Sequence, residues 1–287
     1  MTNPFARYVG GFENLLARGR ALGAPDAYRP QLPALVADAP VCMVFSPHPD
    51  DEAISGALPW RLRSHDGWRV INVAVTLGSK VERRAERWQE LSRCCDFLGF
   101  DLVSASGEAQ HGLERITPRT AASDPTYWGS SAARVARLID AHQPLLIVCP
   151  HANDGHAAHI GTHLLVMDGL RGADKSLRPH LGFSEYWNTQ SDPGLMVELD
   201  KSEVADLVAA LSLHTGEVAR NPYHLTLPAW FMDGVRRGAE RVGAPAATAP
   251  DAPFASLYGW QRWENGACRP LPPRFWPSGA PARALFE

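Results

Sequence analysis

The chain has 287 residues, of which 45% are hydrophobic, and its formal net charge at pH 7 is -3. This length allows one large domain or two small ones, and the charge balance excludes the strongly basic surface typical of nucleic-acid-binding proteins. The sequence contains no apolar run of membrane-spanning length, and its first residues lack the apolar stretch of a signal peptide. The five cysteines show no paired spacing. We therefore expect free thiols and a cytoplasmic protein.

Strand-like and helix-like segments alternate through the first half of the chain. Short apolar runs predict strands over residues 41–46, 69–75, 100–103 and 145–149, and helical spacing predicts helices near 49, over 81–98 and around 135–139. This order is typical of a parallel sheet with helices on both faces. We therefore predict an α/β fold, with the functional crevice outside the carboxyl ends of the strands.

The remaining segments have weaker patterns. Residues 104–127 lack a clear period and are expected to form a long irregular stretch. Asp200 and Glu203 are spaced as a capping box and predict another helix start. From residue 244 the chain is rich in proline and tryptophan, which predicts a packed or a partly mobile tail. We expect a single domain over 1–287, with a core of about 38–215 and an irregular C-terminal extension of about 216–287.

An imidazole and three carboxyl groups directly follow the first predicted strand. They belong to His48, Asp50, Asp51 and Glu52. Carboxylates this close repel one another unless a cation lies between them, and His and Asp are common zinc ligands. The alternative is that the acidic residues only stabilise a helix start. The motif favours a metal site.

A second polar cluster follows the predicted strand at 145–149. If a helix begins near Gly155, then His156, His159 and His163 share one of its faces. Both clusters would then lie at the same edge of the sheet. A zinc ion with an open position lowers the pKa of bound water, a nearby carboxylate can act as base, and an imidazole can polarise a carbonyl. Together the clusters predict metal-dependent hydrolysis.

The residues that carry this chemistry resemble a known family. Residues 47–52 resemble the first motif of the LmbE/PIG-L family of zinc-dependent N-acetylglucosamine deacetylases, and the second cluster resembles their His-x-x-His motif. The helix in which Arg87 and Glu90 lead to Gly99 is also similar to a family segment. The resemblance covers roughly residues 41–170. It implies a Rossmann-like sheet.

The resemblance also implies a role for each site residue. The zinc ligands would be His48, Asp51 and His159, the general base Asp50, the oxyanion stabiliser and general acid His156, and the substrate-side cation Arg87. Fe²⁺ would suit the same ligand set as Zn²⁺.

Three more residues are expected to support this set without binding the metal. They are Glu52, Asp154 and His163. Many relatives have Pro-Asp where this chain has Ala157 and Ala158, and that aspartate is expected to orient the catalytic imidazole. Asp154 could take over this role.

The predicted function is removal of an N-acetyl group from an N-acetylglucosamine-type conjugate or a related small molecule. The expected partner is this amino-sugar conjugate, with no nucleic acid and no membrane span, and the sequence predicts no oligomeric state. One alternative is an amidase for another small N-acyl substrate. Another is an inactive module that binds zinc and sugar, which the Ala157-Ala158 departure favours. The intact Asp50 argues against it, because a binding module needs no base.

Overall fold

A computed structural model describes residues 3–23, 25, 27–243 and 250–286. Within these ranges the strands are β1 (Val41–Ser46), β2 (Arg69–Ala74), β3 (Asp101–Ser104), β4 (Leu146–Pro150), β5 (His180–Ser184), β6 (Leu195–Leu199), β7 (Phe254–Glu264), β8 (Ala267–Pro270) and β9 (Arg274–Trp276). The α-helices are α1 (Ala6–Gly19), α2 (Asp51–Ile54), α3 (Ala57–Asp66), α4 (Arg84–Leu98), α5 (Pro118–Ser123), α6 (Pro125–His142), α7 (Ala157–Gly172), α8 (Lys201–Ser212), α9 (Thr215–Val218), α10 (Tyr223–Gly238) and α11 (Arg283–Phe286). A 3-10 turn at Val81–Arg83 precedes α4, and a π turn at Ala239–Gly243 follows α10.

The strands form one sheet in the order β3-β2-β1-β4-β5-β7-β6-β9, and β8 pairs with β7. The five strands from β3 to β5 are parallel. From β1 the chain first builds outward through β2 and β3, and then continues on the other side of β1 with β4 and β5. The predicted α/β fold with a mainly parallel sheet is confirmed. The order reverses between β1 and β4, and such a switch point is where open α/β sheets bind ligands.

The two faces of the sheet are covered by different helices because strand side chains alternate in direction. In β1, Cys42 and Val44 join the core that includes residues of α3, α4 and α8. Met43 and Phe45 point the other way, into the core formed with α6 and α7. A strand buried on both faces needs a continuous apolar run, which explains the sequence of β1.

The segment after residue 216 is more regular than its prolines indicate. Strand β7 lies between β5 and β6 and is antiparallel to both. Its Tyr258 and Trp260 are buried in the core. Prolines lie on both sides of β7, and the strand itself contains none. The sheet is therefore completed by residues that the sequence assigned to an irregular extension.

The predicted irregular stretch over 104–127 is also shorter in the structure. Helix α5 begins at Pro118 after Thr117, and α6 begins at Pro125 after Asp124. The side chains of Thr117 and Asp124 each accept a backbone hydrogen bond from the first turn of their helix. A capping residue followed by proline is a helix-start signal that could have been found in the sequence. Every helix in the described ranges is too short or too polar to traverse a bilayer.

Candidate active site

Both polar clusters lie at the switch point of the sheet. Strand β1 pairs with β4 in a register that places Val44 beside Val148. The two strands therefore end side by side. The chain after β1 turns into α2, and the chain after β4 leads into α7. The side chains that follow the two strands meet in the crevice between them.

The first cluster includes a residue with unusual backbone geometry. Asp50 has φ of 118° and ψ of -27°, in the left-handed region. A non-glycine residue in such a region costs about 1 to 3 kcal/mol, so the surrounding contacts must hold it. The backbone N–H of Asp50 donates to Glu52 Oε2 at 3.0 Å. The backbone N–H of His48 donates to Asp51 Oδ2 at 2.8 Å. These bonds fix the turn that presents the motif.

The spacing of the donor atoms fits a shared metal ion. Asp51 Oδ2 lies 3.5 Å from His48 Nδ1 and 3.4 Å from His159 Nε2. Two ligand atoms about 2.1 Å from a tetrahedral zinc ion are about 3.4 Å apart. One oxygen thus stands at ligand spacing from an imidazole of each cluster.

His159 also has the burial expected of a metal ligand. It is 1% exposed, and neither ring nitrogen makes a hydrogen bond within the described part of the protein. Its Nδ1 lies 3.6 Å from Asp154 Oδ2. A buried polar atom with no partner is costly. A metal on the Nε2 side, with Asp154 behind Nδ1, would remove that cost in the manner usual for metal-binding histidines.

His156 differs from the other two imidazoles. It is the N-cap of α7, and its Nδ1 accepts the backbone N–H of Ala158 at 3.2 Å. That bond needs a lone pair on Nδ1, so a neutral ring carries its proton on Nε2. Burial and the nearby His48 and His159 lower the pKa of His156. The ring is therefore a neutral donor, which suits the position of an oxyanion stabiliser.

Asp154 is not the side chain that orients the His156 ring. Its Oδ1 accepts the backbone N–H of His156, and its Oδ2 faces His159. The expectation that Asp154 orients the His156 ring in place of the missing family aspartate is therefore wrong, because Asp154 contacts only the backbone of His156. The backbone of Ala158 contacts the ring instead, because His156 ends the loop and caps the helix.

His163 and Glu52 lie outside the group of possible ligands. His163 Nδ1 is 2.9 Å from the carbonyl oxygen of Pro150, and its ring contacts Phe183, away from the three clustered imidazoles. Helix α7 begins at Ala157, so His156 precedes it as the N-cap in an extended conformation, and only His159 and His163 of the three histidines lie on the helix itself.

Glu52 is fully buried and joins the first cluster to α8. Its Oε1 lies 2.6 Å from Nε2 of His214, one of the two residues between α8 and α9. Cys94 lies close enough to form a second group of potential metal ligands with this pair. A contact of 2.6 Å is too short for two ligands of one zinc ion, which would be about 3.4 Å apart. The contact with His214 therefore fixes the Glu52 carboxylate, which accepts the backbone N–H of Asp50.

A cavity of about 590 Å³ adjoins these groups, and Asp50, His48 and His156 are among its lining residues. Burial and the adjacent Asp51 raise the pKa of Asp50 well above its usual range. Arg87 lines the wall, where it donates to the carbonyl oxygen of Pro49 at 3.1 Å. Gly78 has φ of +85°, a left-handed conformation that favours glycine, and a Cβ there would lie 2.2 Å from Arg87 Nη1, so a larger residue would displace the end of this side chain.

Several wall residues were not found from the sequence. Tyr186 and Trp187 lie two and three residues after β5, a strand that the sequence patterns did not predict, and Glu217, Arg220 and Tyr223 follow α8. The carboxylate of Glu217 lies 4.0 Å from Arg87 Nη2 and also binds Arg220. The adjacent aromatic residues were an available signal. The sequence held no comparable signal for the 214–223 segment, because only the tertiary fold brings it to the cavity.

The segment that contains both polar clusters matches a known protein family. Residues 43–170 match the family model described as PIG-L, GlcNAc-PI de-N-acetylase. The chain carries a PIG-L family domain. The resemblance predicted from the sequence is thereby confirmed, and the PIG-L domain contains both polar clusters. No curated protein sequence matches the chain at a significant level.

Solved structures share the fold of this chain at low sequence identity. One is the conserved protein TT1542 from Thermus thermophilus, at 17% identity over 83% of this chain and 98% of that chain, with a TM-score of 0.57. Another is the N,N'-diacetylchitobiose deacetylase from Pyrococcus horikoshii, at 14% identity over 91% and 94% of the two chains, with a TM-score of 0.54. A third is GalB, the 4-carboxy-2-hydroxymuconate hydratase from Pseudomonas putida KT2440, at 14% identity over 78% and 95%, with a TM-score of 0.57. A deacetylase and a hydratase share this fold, so function must be argued from the site.

Proposed function

We propose that the protein is a metal-dependent N-deacetylase that hydrolyses the acetamide of an N-acetylglucosamine-type conjugate. The observation that carries the proposal is the placement of Asp51 Oδ2 at 3.5 Å and 3.4 Å from nitrogens of His48 and His159. The membership of residues 43–170 in a de-N-acetylase family supports the reaction class. The name of the Pyrococcus horikoshii protein supports an N-acetylated sugar as substrate.

In this proposal His48, Asp51 and His159 hold the metal. A bound Zn²⁺ or Fe²⁺ would lower the pKa of water and polarise the amide carbonyl. Asp50 borders the cavity beside these residues and is the base that takes a proton from the attacking water. Asp50 then returns that proton to the leaving amine.

His156 acts in the proposal as a neutral hydrogen-bond donor. The bond from Ala158 to Nδ1 leaves the proton on Nε2, where it can stabilise the negative charge that develops on the carbonyl oxygen. A general-acid role would need a proton on both ring nitrogens, and the hydrogen bond from the Ala158 backbone occupies the Nδ1 lone pair that would have to take the second one. The absence of the family aspartate at Ala158 is consistent with this division of roles.

The test is acetate release by the metal-loaded protein. A panel would include N-acetylglucosamine, its glycosides and its 1-phosphate, with bound metal measured by mass spectrometry after separate loading with Zn²⁺ and Fe²⁺. Asp50→Asn keeps the side-chain shape and removes the base, so we expect kcat to fall about 10²- to 10⁴-fold with metal content unchanged. Asp96→Asn makes the same chemical change at an exposed position and should have no effect.

The outcomes separate the alternatives. Stoichiometric metal without turnover that depends on Asp50 would favour a binding module and contradict the deacetylase. Turnover of other small amides but not of amino sugars would favour an amidase. Binding of metal by a His48→Ala variant as tight as by the natural protein would contradict the ligand assignment.

We also infer that the chain forms a single domain. Strand β7, near the C-terminus, lies between β5 and β6, so removal of the last part of the chain would open the sheet.

A further inference from the structure

A small apolar pocket adjoins the cavity above Asp50. It has a volume of about 160 Å³ and a wall that is mainly aromatic and aliphatic. Residues that line it include Ile54, Tyr186, Trp187, Tyr223, Leu227 and Trp230. Tyr186, Trp187 and Tyr223 also line the larger cavity. The pocket and the candidate active site therefore share three wall residues.

The aromatic rings of this pocket are held in place by stacking. The rings of Tyr186 and Trp230 are stacked with centroids 5.6 Å apart, and Tyr186 also stacks on His159 at 5.4 Å. Trp187 stacks on His156 at 5.7 Å, and its backbone N–H donates to Asp154. The contacts tie both rings to the residues that follow β4. The pocket wall is thus fixed relative to the catalytic groups.

Trp187 remains exposed despite these contacts. It is 53% exposed, although its ring stacks on His156. A large indole face at the mouth of an active site is an apolar surface that a bound molecule can cover. Burial of apolar surface contributes about 25 cal/mol for each Å² removed from water. The free face therefore offers binding energy at the rim.

The volume sets the size of the group that fits. An apolar cavity of about 150 Å³ can take up a benzene molecule. The pocket is of this size, so it can hold one phenyl-sized group or a branched chain of similar volume. The larger cavity differs in chemistry, since Arg84, Arg87 and Arg220 are among its lining residues. One site therefore offers a polar wall and an apolar pocket.

We propose that this pocket binds a phenyl-sized apolar substituent of the substrate, so that the natural substrate is amphiphilic rather than a free amino sugar. The proposal rests on the proposed deacetylase function, because it takes the acetamide position above Asp50 as its reference. The apolar group can be attached on the amine side, as an aglycone, or on the acyl side. Both sources present the same chemistry to the pocket.

Binding measurements with two ligand pairs test the proposal and distinguish the sources. Phenyl and methyl N-acetyl-β-D-glucosaminide differ on the amine side, and N-benzoyl and N-acetyl glucosamine differ on the acyl side. Dissociation constants measured by calorimetry on the metal-loaded protein need no turnover. In at least one pair we expect the phenyl-bearing ligand to bind about tenfold or more tightly, because the ring leaves water.

Two variants assign this preference to the pocket. Thr226 is exposed and borders the pocket, so Thr226→Trp should block it with little effect on folding. Trp230→Ala removes the ring that stacks on Tyr186. Both variants should reduce the preference to about twofold or less. Met232→Ala is the matched control, since Met232 lies on the same helix, is 46% exposed and is not among the lining residues.

The results separate this proposal from the deacetylase itself. Acetate release from the small ligands with no preference in either pair would overturn the pocket and leave the deacetylase intact. A preference that Thr226→Trp abolishes, without acetate release from any ligand, would support the pocket and overturn the deacetylase. An equal preference in the natural protein and both variants would also overturn the pocket. Melting temperatures of the variants show whether they are folded.

Discussion

The candidate metal site and the surroundings of Arg61 both bury ionisable side chains, but they satisfy them differently. In the site, both nitrogens of His159 lack a hydrogen bond within the described ranges. Arg61 is 1% exposed, and its terminal nitrogens donate to backbone carbonyl oxygens of four residues. These are Glu198, Trp276, Pro277 and Ala280.

The difference distinguishes buried polar groups whose hydrogen bonds are made by the protein itself from those whose donors and acceptors are unused within the described ranges. Arg61 also lies 3.8 Å from the ring centroid of Trp276, and its Nε is 3.3 Å from Glu203 Oε1, an ion-pair distance without hydrogen-bond geometry. Most donors of Arg61 are thus used by the protein itself, and they attach the C-terminal segment to α3. The nitrogens of His159 are used by nothing described. Saturated contacts indicate a structural role, and unsatisfied atoms that lie beside other potential ligands indicate a binding site.

The largest expected effect on stability is at Arg61. Arg61→Met removes the buried cation beside Glu203, leaves only the partly exposed His65 at 3.3 Å from its carboxylate, and frees several carbonyl oxygens. The free energy of unfolding should therefore fall by about 3 to 5 kcal/mol. Urea unfolding measures this change. The same substitution at Arg69, which forms an exposed pair with Asp101 at 2.6 Å, should cost about 1 kcal/mol or less. Equal costs at the two positions would contradict the structural role of Arg61.

The next effect is on metal affinity. A zinc site in a small peptide contributes about 10 to 16 kcal/mol over its ligands, so loss of one ligand should weaken binding by about 3 to 4 kcal/mol. His159→Ala should therefore reduce metal affinity about 100- to 1,000-fold, measured by competition with a chelating dye. His163→Ala, one turn later on α7, is the control and should bind metal normally. Weakened binding in the control alone would reverse the assignment.

His180 tests whether an unpaired nitrogen is enough to mark a site. Its Nδ1 also lacks a partner among the residues described, and its ring stacks on Trp260 at 5.2 Å. His180 belongs to none of the groups of three potential ligands found in the described ranges. Burial, with a smaller effect of Arg262, lowers the pKa of His180 to about 4. We therefore expect a stability effect without metal binding.

The sign of this effect follows from the lowered pKa. The unfolded chain takes up a proton near the ordinary histidine pKa of about 6.5, while the folded protein resists until about pH 4. The contribution of His180 to stability is thus present above pH 6.5 and is lost as the pH falls toward 4. Between pH 7 and pH 5 the natural protein should lose about 2 kcal/mol more than His180→Phe. Parallel stability curves for the two proteins would contradict this prediction.

Much of the N-terminal half was predictable because its signals are local. The apolar runs of β1 and β4, and the glycine that ends α4, are patterns of a few adjacent residues. The two polar clusters follow those runs directly, so their placement at strand ends could be predicted as well. Strand β7 was missed because its neighbours β5 and β6 are distant in sequence, and its prolines suggested irregular structure.

The sequence by itself determined the alternation of strands and helices, the two polar clusters and the family. The tertiary structure decided which strands lie side by side, and so which side chains meet. It placed β1 next to β4, moved His163 away from the other histidines, and brought His214, Tyr186 and Trp187 to the site. Local patterns set backbone conformation through neighbouring residues, whereas the walls of the site depend on sheet order and on packing between distant segments.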